Sequence, residues 1–170
     1  YGQTRSYGAG ATAFTSSGLQ NGETIGSVTI TASGGTAANA AVGSYNLTPS
    51  AATGGTFTAS NYTITFSNGT LTVSKAVLTV PADNQSRAYG VANPTLTSTI
   101  SGFANGETFA TSGVTGSAAM TTTAASASAV GAYAISTALG SLAASNYSFT
   151  LVDGTLTVTA TALSITANND

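Results

Sequence analysis

The stretch Asn61-Tyr62-Thr63-Ile64-Thr65-Phe66-Ser67-Asn68-Gly69-Thr70-Leu71-Thr72-Val73 decides the fold class. Tyr62, Ile64 and Phe66 alternate with threonines, and after the turn Leu71 and Val73 do the same. A period of two puts apolar side chains on one face of a strand and threonines on the other. The branched Cβ of Thr suits a pleated sheet. Asn68-Gly69 is a strong two-residue turn signal, because a type I′ turn needs positive φ at both positions. The spacing predicts an antiparallel hairpin with Phe66 opposite Leu71 and Ile64 opposite Val73. Residues 146–158 repeat the pattern around Asp153-Gly154, with Leu151 opposite Leu156 and Phe149 opposite Val158. One apolar and one Thr-covered side mark a half-buried antiparallel sheet.

The repetition runs through the whole chain. Arg5-Ser-Tyr7-Gly8 returns as Arg87-Ala-Tyr89-Gly90, and Asn21-Gly-Glu-Thr24 as Asn105-Gly-Glu-Thr108. Val42-Gly-Ser-Tyr45 returns as Val130-Gly-Ala-Tyr133, and Ala59-Ser-Asn-Tyr62 as Ala144-Ser-Asn-Tyr147. The offset drifts by a few residues, as loops absorb small insertions at little cost. Of the seven tyrosines, all but Tyr1 fall into equivalent pairs. Two tandem copies of one building block explain this.

Further strands are expected over residues 27–31, 45–48, 95–100 and 132–137. Asn21-Gly22 and Asn105-Gly106 read as turns or as the start of one helical turn. The Ala/Thr/Ser stretch 118–129 is low in complexity, and its alanines fit a helix as well as a strand. After Val73 the apolar positions change phase, from 71 and 73 to 78 and 80. A one-residue change of phase turns every side chain to the other face. It predicts a bulge or a passage into another sheet or module near residues 76–78. Residues 162–170 match 77–85, so the leading strand occurs again at the end of the chain. The expected layout is module 1 over 1–82, completed by strand 76–82, and module 2 over 83–170, completed by strand 162–168. The leading strand is then shared or swapped between neighbours, which covers a sheet edge that would otherwise be bare.

Composition narrows the function. The 170 residues are only 5% charged, with net charge −2, yet 42% hydrophobic. Disordered chains show the opposite balance, so this one folds. With no Cys, there is no disulfide, thiolate metal site or thioester. This fits an extracellular bacterial protein stabilised by other means. The three basic residues Arg5, Lys75 and Arg87 cannot form the dense basic footprint that nucleic acids require. No apolar run reaches the roughly 18 residues of a membrane helix.

Taken in order, Tyr-Gly, Ser-Gly-Phe-Ala-Asn-Gly-Glu-Thr (101–108), Val-Gly-x-Tyr, Ala-Ser-Asn-Tyr and Asx-Gly-Thr-Leu-Thr-Val resemble the MBG and YDG repeats of large secreted bacterial adhesins. The resemblance covers essentially the whole chain, twice. Ala9 and Val91 stand where the family often has Asp after Tyr-Gly, which places both copies nearer the YGX variety. The resemblance implies a cell-surface adhesin stalk and supplies no ligand.

Candidate chemistry is sparse. Glu23 and Glu107 follow Asn-Gly and read as loop caps. As calcium ligands they lack company, since that ion takes six to eight oxygens and the chain has five scattered acids. Arg5 and Arg87 are expected to pair with Glu23 and Glu107 or to stack on Tyr7 and Tyr89. Tyr45 and Tyr133 fit a tyrosine corner, in which the hydroxyl ties down a nearby loop. Without His or Cys the usual triads and zinc sites are closed. Nothing suggests two carboxyls facing one cleft. Lys75 would serve an isopeptide bond in one copy only, because Ala160 is its counterpart. No catalytic, cofactor-binding or metal-binding residue is assigned.

The expected fold is all-β: two tandem immunoglobulin-like β-sandwich modules, or alternatively β-grasp-like modules with a short helix. The expected protein is not an enzyme. It is a secreted or cell-surface stalk without cofactor, partnered by neighbouring repeats of the same protein. Two alternatives remain: a module that binds host or matrix glycan or protein directly, and a fibre subunit that self-associates head to tail by donating strand 162–168.

Overall fold

The computed structural model describes residues 14–167. The chain divides into two compact units, 1–76 and 77–170. Both are built from strands. Among the described residues the only helical element is one 3-10 turn, Ala59–Asn61, so the β-grasp-like alternative with a helix is not supported. Asn21-Gly22 and Asn105-Gly106 form turns, both asparagines lying near φ 55°. The stretch that composition left open contains a strand, Ala119–Thr122.

In the first unit, β1 (Ile25–Ala32), β2 (Gly43–Gly55) and β3 (Gly69–Val73) form an antiparallel sheet in that order. β2 carries Tyr45 opposite Leu71 and Gly43 opposite Val73. Leu71 and Val73 are buried, while Thr70 and Thr72 are exposed, as their alternation requires.

The second unit contains β4 (Ala76–Pro81), β5 (Gln85–Ala88), β6 (Ala119–Thr122), β7 (Gly131–Ala138), β8 (Tyr147–Val152) and β9 (Gly154–Thr159). One sheet runs β5-β9-β7-β6. Its β7–β9 ladder sets Tyr133 opposite Leu156 and Gly131 opposite Val158, the register of the first unit repeated. β4 pairs with β8 in a separate sheet; its Thr79 is bridged to Ser101, and Ala82, just beyond it, to Ser98. Leu78, Val80, Ile135 and Leu156 have no exposed surface at all. Ala82, Ala124, Ile135 and Leu156 pack as one cluster, with Leu96, Met120 and Tyr133 against it.

The predicted hairpins do not form. β9 has β7 on one side and, in parallel, β5 on the other, so both its edges are occupied and β8 pairs with β4 instead. Neither Gly69 nor Gly154 takes a positive φ. Asp153-Gly154 is therefore a crossing from one sheet to the other. Gly154 is needed there because a Cβ would lie 2.5 Å from the Ala82 carbonyl oxygen. Two chain segments cross side by side at this point: Ala82 N–H donates to Val152 O at 2.9 Å, and Thr155 N–H to Asn84 Oδ1 at 2.8 Å. The turn chemistry of Asx-Gly was legible, but its use was decided by which strands were free to pair.

The change of phase after Val73 marks a passage into a different sheet: β3 ends, Ser74 and Lys75 follow, and β4 begins. Val77, which keeps the old phase, is 56% exposed. β4 pairs with β8 and so lies with the second unit, residues 77–170. Residues 160–167 hold no regular structure, and the strand expected to complete the second module is not seen over the described part of 162–168. Residues 95–100 contribute a single bridge, at Ser98, in place of a strand.

Candidate functional site

The side chains repeated between the two copies are the natural candidates. Tyr45 Oη donates to Ala41 O and Tyr133 Oη to Ala129 O, each at 2.9 Å. Both hydroxyls thus tie down the backbone four residues upstream, the arrangement expected of a tyrosine corner. In the first unit the Tyr45 ring lies against Gly35, where a Cβ would be 2.5 Å from Cδ2 and φ is +80°.

Glu23 and Glu107 each accept a hydrogen bond from a tyrosine. Tyr62 Oη donates to Glu23 Oε2 and accepts from Gln20 N–H at 3.1 Å. Tyr147 Oη donates to Glu107 Oε2 at 2.6 Å and accepts from Ala104 N–H at 3.0 Å. Each phenol thereby clamps an Asn-Gly-Glu turn about 40 residues away in sequence. The hydrogen bond to Glu23 raises the Tyr62 pKa, because the carboxylate favours the protonated phenol; the bond from Gln20 opposes it. Phe103 packs edge-on to Tyr147 with centroids 6.0 Å apart. The Tyr–Glu clamp was missed from sequence. Its signal was the joint recurrence of Asn-Gly-Glu and Ala-Ser-Asn-Tyr.

Arg87 is buried. Its Nε donates to Asn93 Oδ1 at 2.7 Å, one terminal nitrogen to Ala88 O at 3.1 Å and the other to Ala125 O. Asn93 Nδ2 in turn donates to Ala124 O at 2.6 Å. The guanidinium fork thus fastens loop carbonyls to β5. Its counterpart Arg5, with Tyr7, lies outside the described residues. Among the described residues no group of three or more His, Cys, Asp or Glu is placed to hold a metal ion. No helix among them is long and apolar enough to cross a membrane.

One concave feature stands out. In the first unit a cleft of ≈ 610 Å³ is lined by Leu19, Val28, Leu47, Phe57, Ile64 and Phe66, among others. Residues 62–66 form one wall; they correspond to β8 yet belong to no strand. Ile64 and Phe66 are 39% and 41% exposed. In the second unit the corresponding place is occupied by β4, paired to β8.

The family described as MBG domain (YGX type) matches residues 2–72 and again 78–157. No curated protein and no solved structure matches the chain. The two matched segments carry the same Tyr-corner, the same Tyr–Glu clamp and the same ladder register. The chain belongs to the MBG domain family of the YGX type, and carries two tandem copies of that domain.

Proposed function

We propose that this chain is a non-catalytic structural segment of a bacterial cell-surface adhesin, a stalk repeat that spaces an adhesive region from the cell. One observation carries the reading: the recurring corner and clamp tyrosines, the clamp glutamates and the recurring Leu and Val of the ladder are engaged in holding their own module together. Tyr45 and Tyr133 fasten their own loops, Tyr62 and Tyr147 clamp Glu23 and Glu107, and Leu71, Val73, Leu156 and Val158 form core. A site selected for ligand would instead present recurring polar or aromatic groups to solvent. Membership of a family of structural repeats and the lack of His and Cys favour the same reading. Extracellular placement follows from the adhesin assignment and agrees with the Cys-free composition.

The test is a binding screen of the intact chain against a glycan array and immobilised matrix proteins. A stalk gives no saturable binding. Saturable binding abolished by Tyr89→Ala, a change at a tyrosine 48% exposed, would overturn the stalk in favour of a directly adhesive module.

A further inference from the structure

Three side chains of the second unit meet beside the connection from β4 to β5: Asp83, Gln85 and Thr97. Thr97 Oγ1 donates to Asp83 Oδ2 at 2.7 Å, and Gln85 Nε2 donates to Thr97 Oγ1 at 3.4 Å. The backbone holds these groups in place. Asp83 N–H donates to Thr97 O at 2.8 Å, and Ala82 is bridged to Ser98 one residue along. Gln85 is fixed by its place in β5, opposite Leu156. Asn84, between the acid and the amide, is engaged elsewhere, its Oδ1 accepting from Thr155 N–H at 2.8 Å.

A hydroxyl, a carboxylate that accepts its proton and a carboxamide beside the oxygen are the parts of an acyl transfer. A carboxylate within hydrogen-bond reach is a general base for the hydroxyl, and a hydroxyl so paired is an activated nucleophile. The carboxamide carbon is the electrophile. The terminal torsion of Gln is soft, so a turn of the amide presents Cδ to Oγ1 without moving β5. Amides acylate poorly in free solution. Holding nucleophile, base and amide on fixed backbone positions makes the step unimolecular and removes the cost of encounter.

We propose that Thr97 and Gln85 join in an intramolecular ester, formed once per chain with Asp83 as the base. Thr97 Oγ1 bonds to Gln85 Cδ as its proton passes to Asp83. The Cδ–Nε2 bond then breaks, Asp83 returns the proton to the leaving nitrogen, and ammonia departs. The carboxylate is regenerated, and nothing is oxidised or reduced. Thr97 is exposed, so ammonia leaves directly into water and its dilution opposes reversal. The ester ties residues 95–100, which belong to no named strand, to β5. In the first copy Gln3 and Thr15 hold the places of Gln85 and Thr97, but Tyr1 stands where Asp83 does. Tyr1 and Gln3 lie outside the described residues, and the proposal concerns the second unit alone. It goes beyond the stalk reading and does not rest on it: its failure leaves a stalk held by packing and hydrogen bonds.

The experiment is mass spectrometry of the intact chain, aged in neutral buffer, then denatured and cut with trypsin. Trypsin cuts after Lys75 and Arg87, so Gln85 leaves on peptide 76–87 and Thr97 on peptide 88–170. The wild type is expected to be lighter than its sequence by one ammonia, with the two peptides joined until hydroxylamine splits the ester. Thr97→Val keeps the shape but has no hydroxyl, and should show full mass and separate peptides. Asp83→Asn keeps nucleophile and amide, and should lose ammonia about a hundredfold more slowly, with circular dichroism checking its fold. A wild type that stays at full mass overturns the proposal. So does loss of ammonia with the peptides separate, which places the loss at an Asn-Gly succinimide instead. So does a folded Asp83→Asn chain that cross-links at the wild-type rate.

Discussion

Leu78 and Leu163 hold the same place in the repeat and sit in opposite surroundings, one with no exposed surface and one 85% exposed. Truncating each to alanine separates the role of position from the role of burial. For Leu78→Ala, the lost transfer free energy and the cavity left between β4 and the core should cost about 2–5 kcal/mol. For Leu163→Ala, an exposed change away from any packed feature, the cost should be within about 0.5 kcal/mol. Urea titration followed by far-ultraviolet circular dichroism reads the difference, at a concentration where sedimentation finds only monomer. With a slope of ~1.5 kcal/mol/M for a unit of this size, Leu78→Ala lowers the midpoint of the second unit by more than about 1 M. Leu163→Ala moves it by no more than about 0.3 M. Equal shifts for the two variants would refute the assignment of β4 to the second unit, as would a Leu78→Ala effect confined to the first unit's transition.

Three further outcomes are expected. Tyr147→Phe keeps the ring but removes the donor to Glu107 and the acceptor for Ala104 N–H; a hydrogen bond to a charged group is worth about 1.5–3 kcal/mol, here toward the lower end because the bond is only part-buried, read as a lower denaturation midpoint of the second unit, and an unchanged midpoint would count against the clamp. Gly154→Ala should cost about 1–3 kcal/mol through its collision with Ala82, whereas Gly69→Ala meets only ordinary contact and should stay within about 0.5 kcal/mol; equal thermal shifts would contradict the crossing geometry. Tyr62 has a folded-state pKa above its ordinary 10.0, chiefly through Glu23. Its hydrogen bond therefore contributes stability below pH 10 that is lost as pH rises through the raised value. Ultraviolet titration should find Tyr62 ionising late and Glu23→Gln bringing it back, and a Tyr62 that ionises at or below the ordinary value would dispose of the interaction.

The sequence made the local chemistry plain and left the pairing undetermined. Alternation over 69–73 and 154–159 marks strands with the correct buried face, and Val-Gly-x-Tyr marks the corner. Asn68-Gly69 and Asp153-Gly154 looked like hairpin turns because Asx-Gly reports what the backbone tolerates locally. Which strand lies beside which is a competition among edges. β5 took the far edge of β9 in parallel, a pairing with no local sequence signature. The phase change after Val73 pointed to a switch of sheet without saying to which module the next strand belongs. The Tyr–Glu clamps span about 40 residues and connect two motifs that were each visible alone. Their partnership needed the fold.

The parallel pairing of β5 with β9 also sets how the second unit takes load. Gln85 lies opposite Leu156 and Ala88 opposite Thr159. A pull on the chain before β5 and after β9 draws the two strands in opposite directions along their length. The ladder bonds between them are then loaded together, in shear, and must yield as a group. A hairpin of adjacent antiparallel strands, the arrangement predicted for β8 and β9, would under the same pull open from its free end one bond at a time. In the stalk role proposed above, the observed pairing would give tension-bearing strength to a module that has no disulfide.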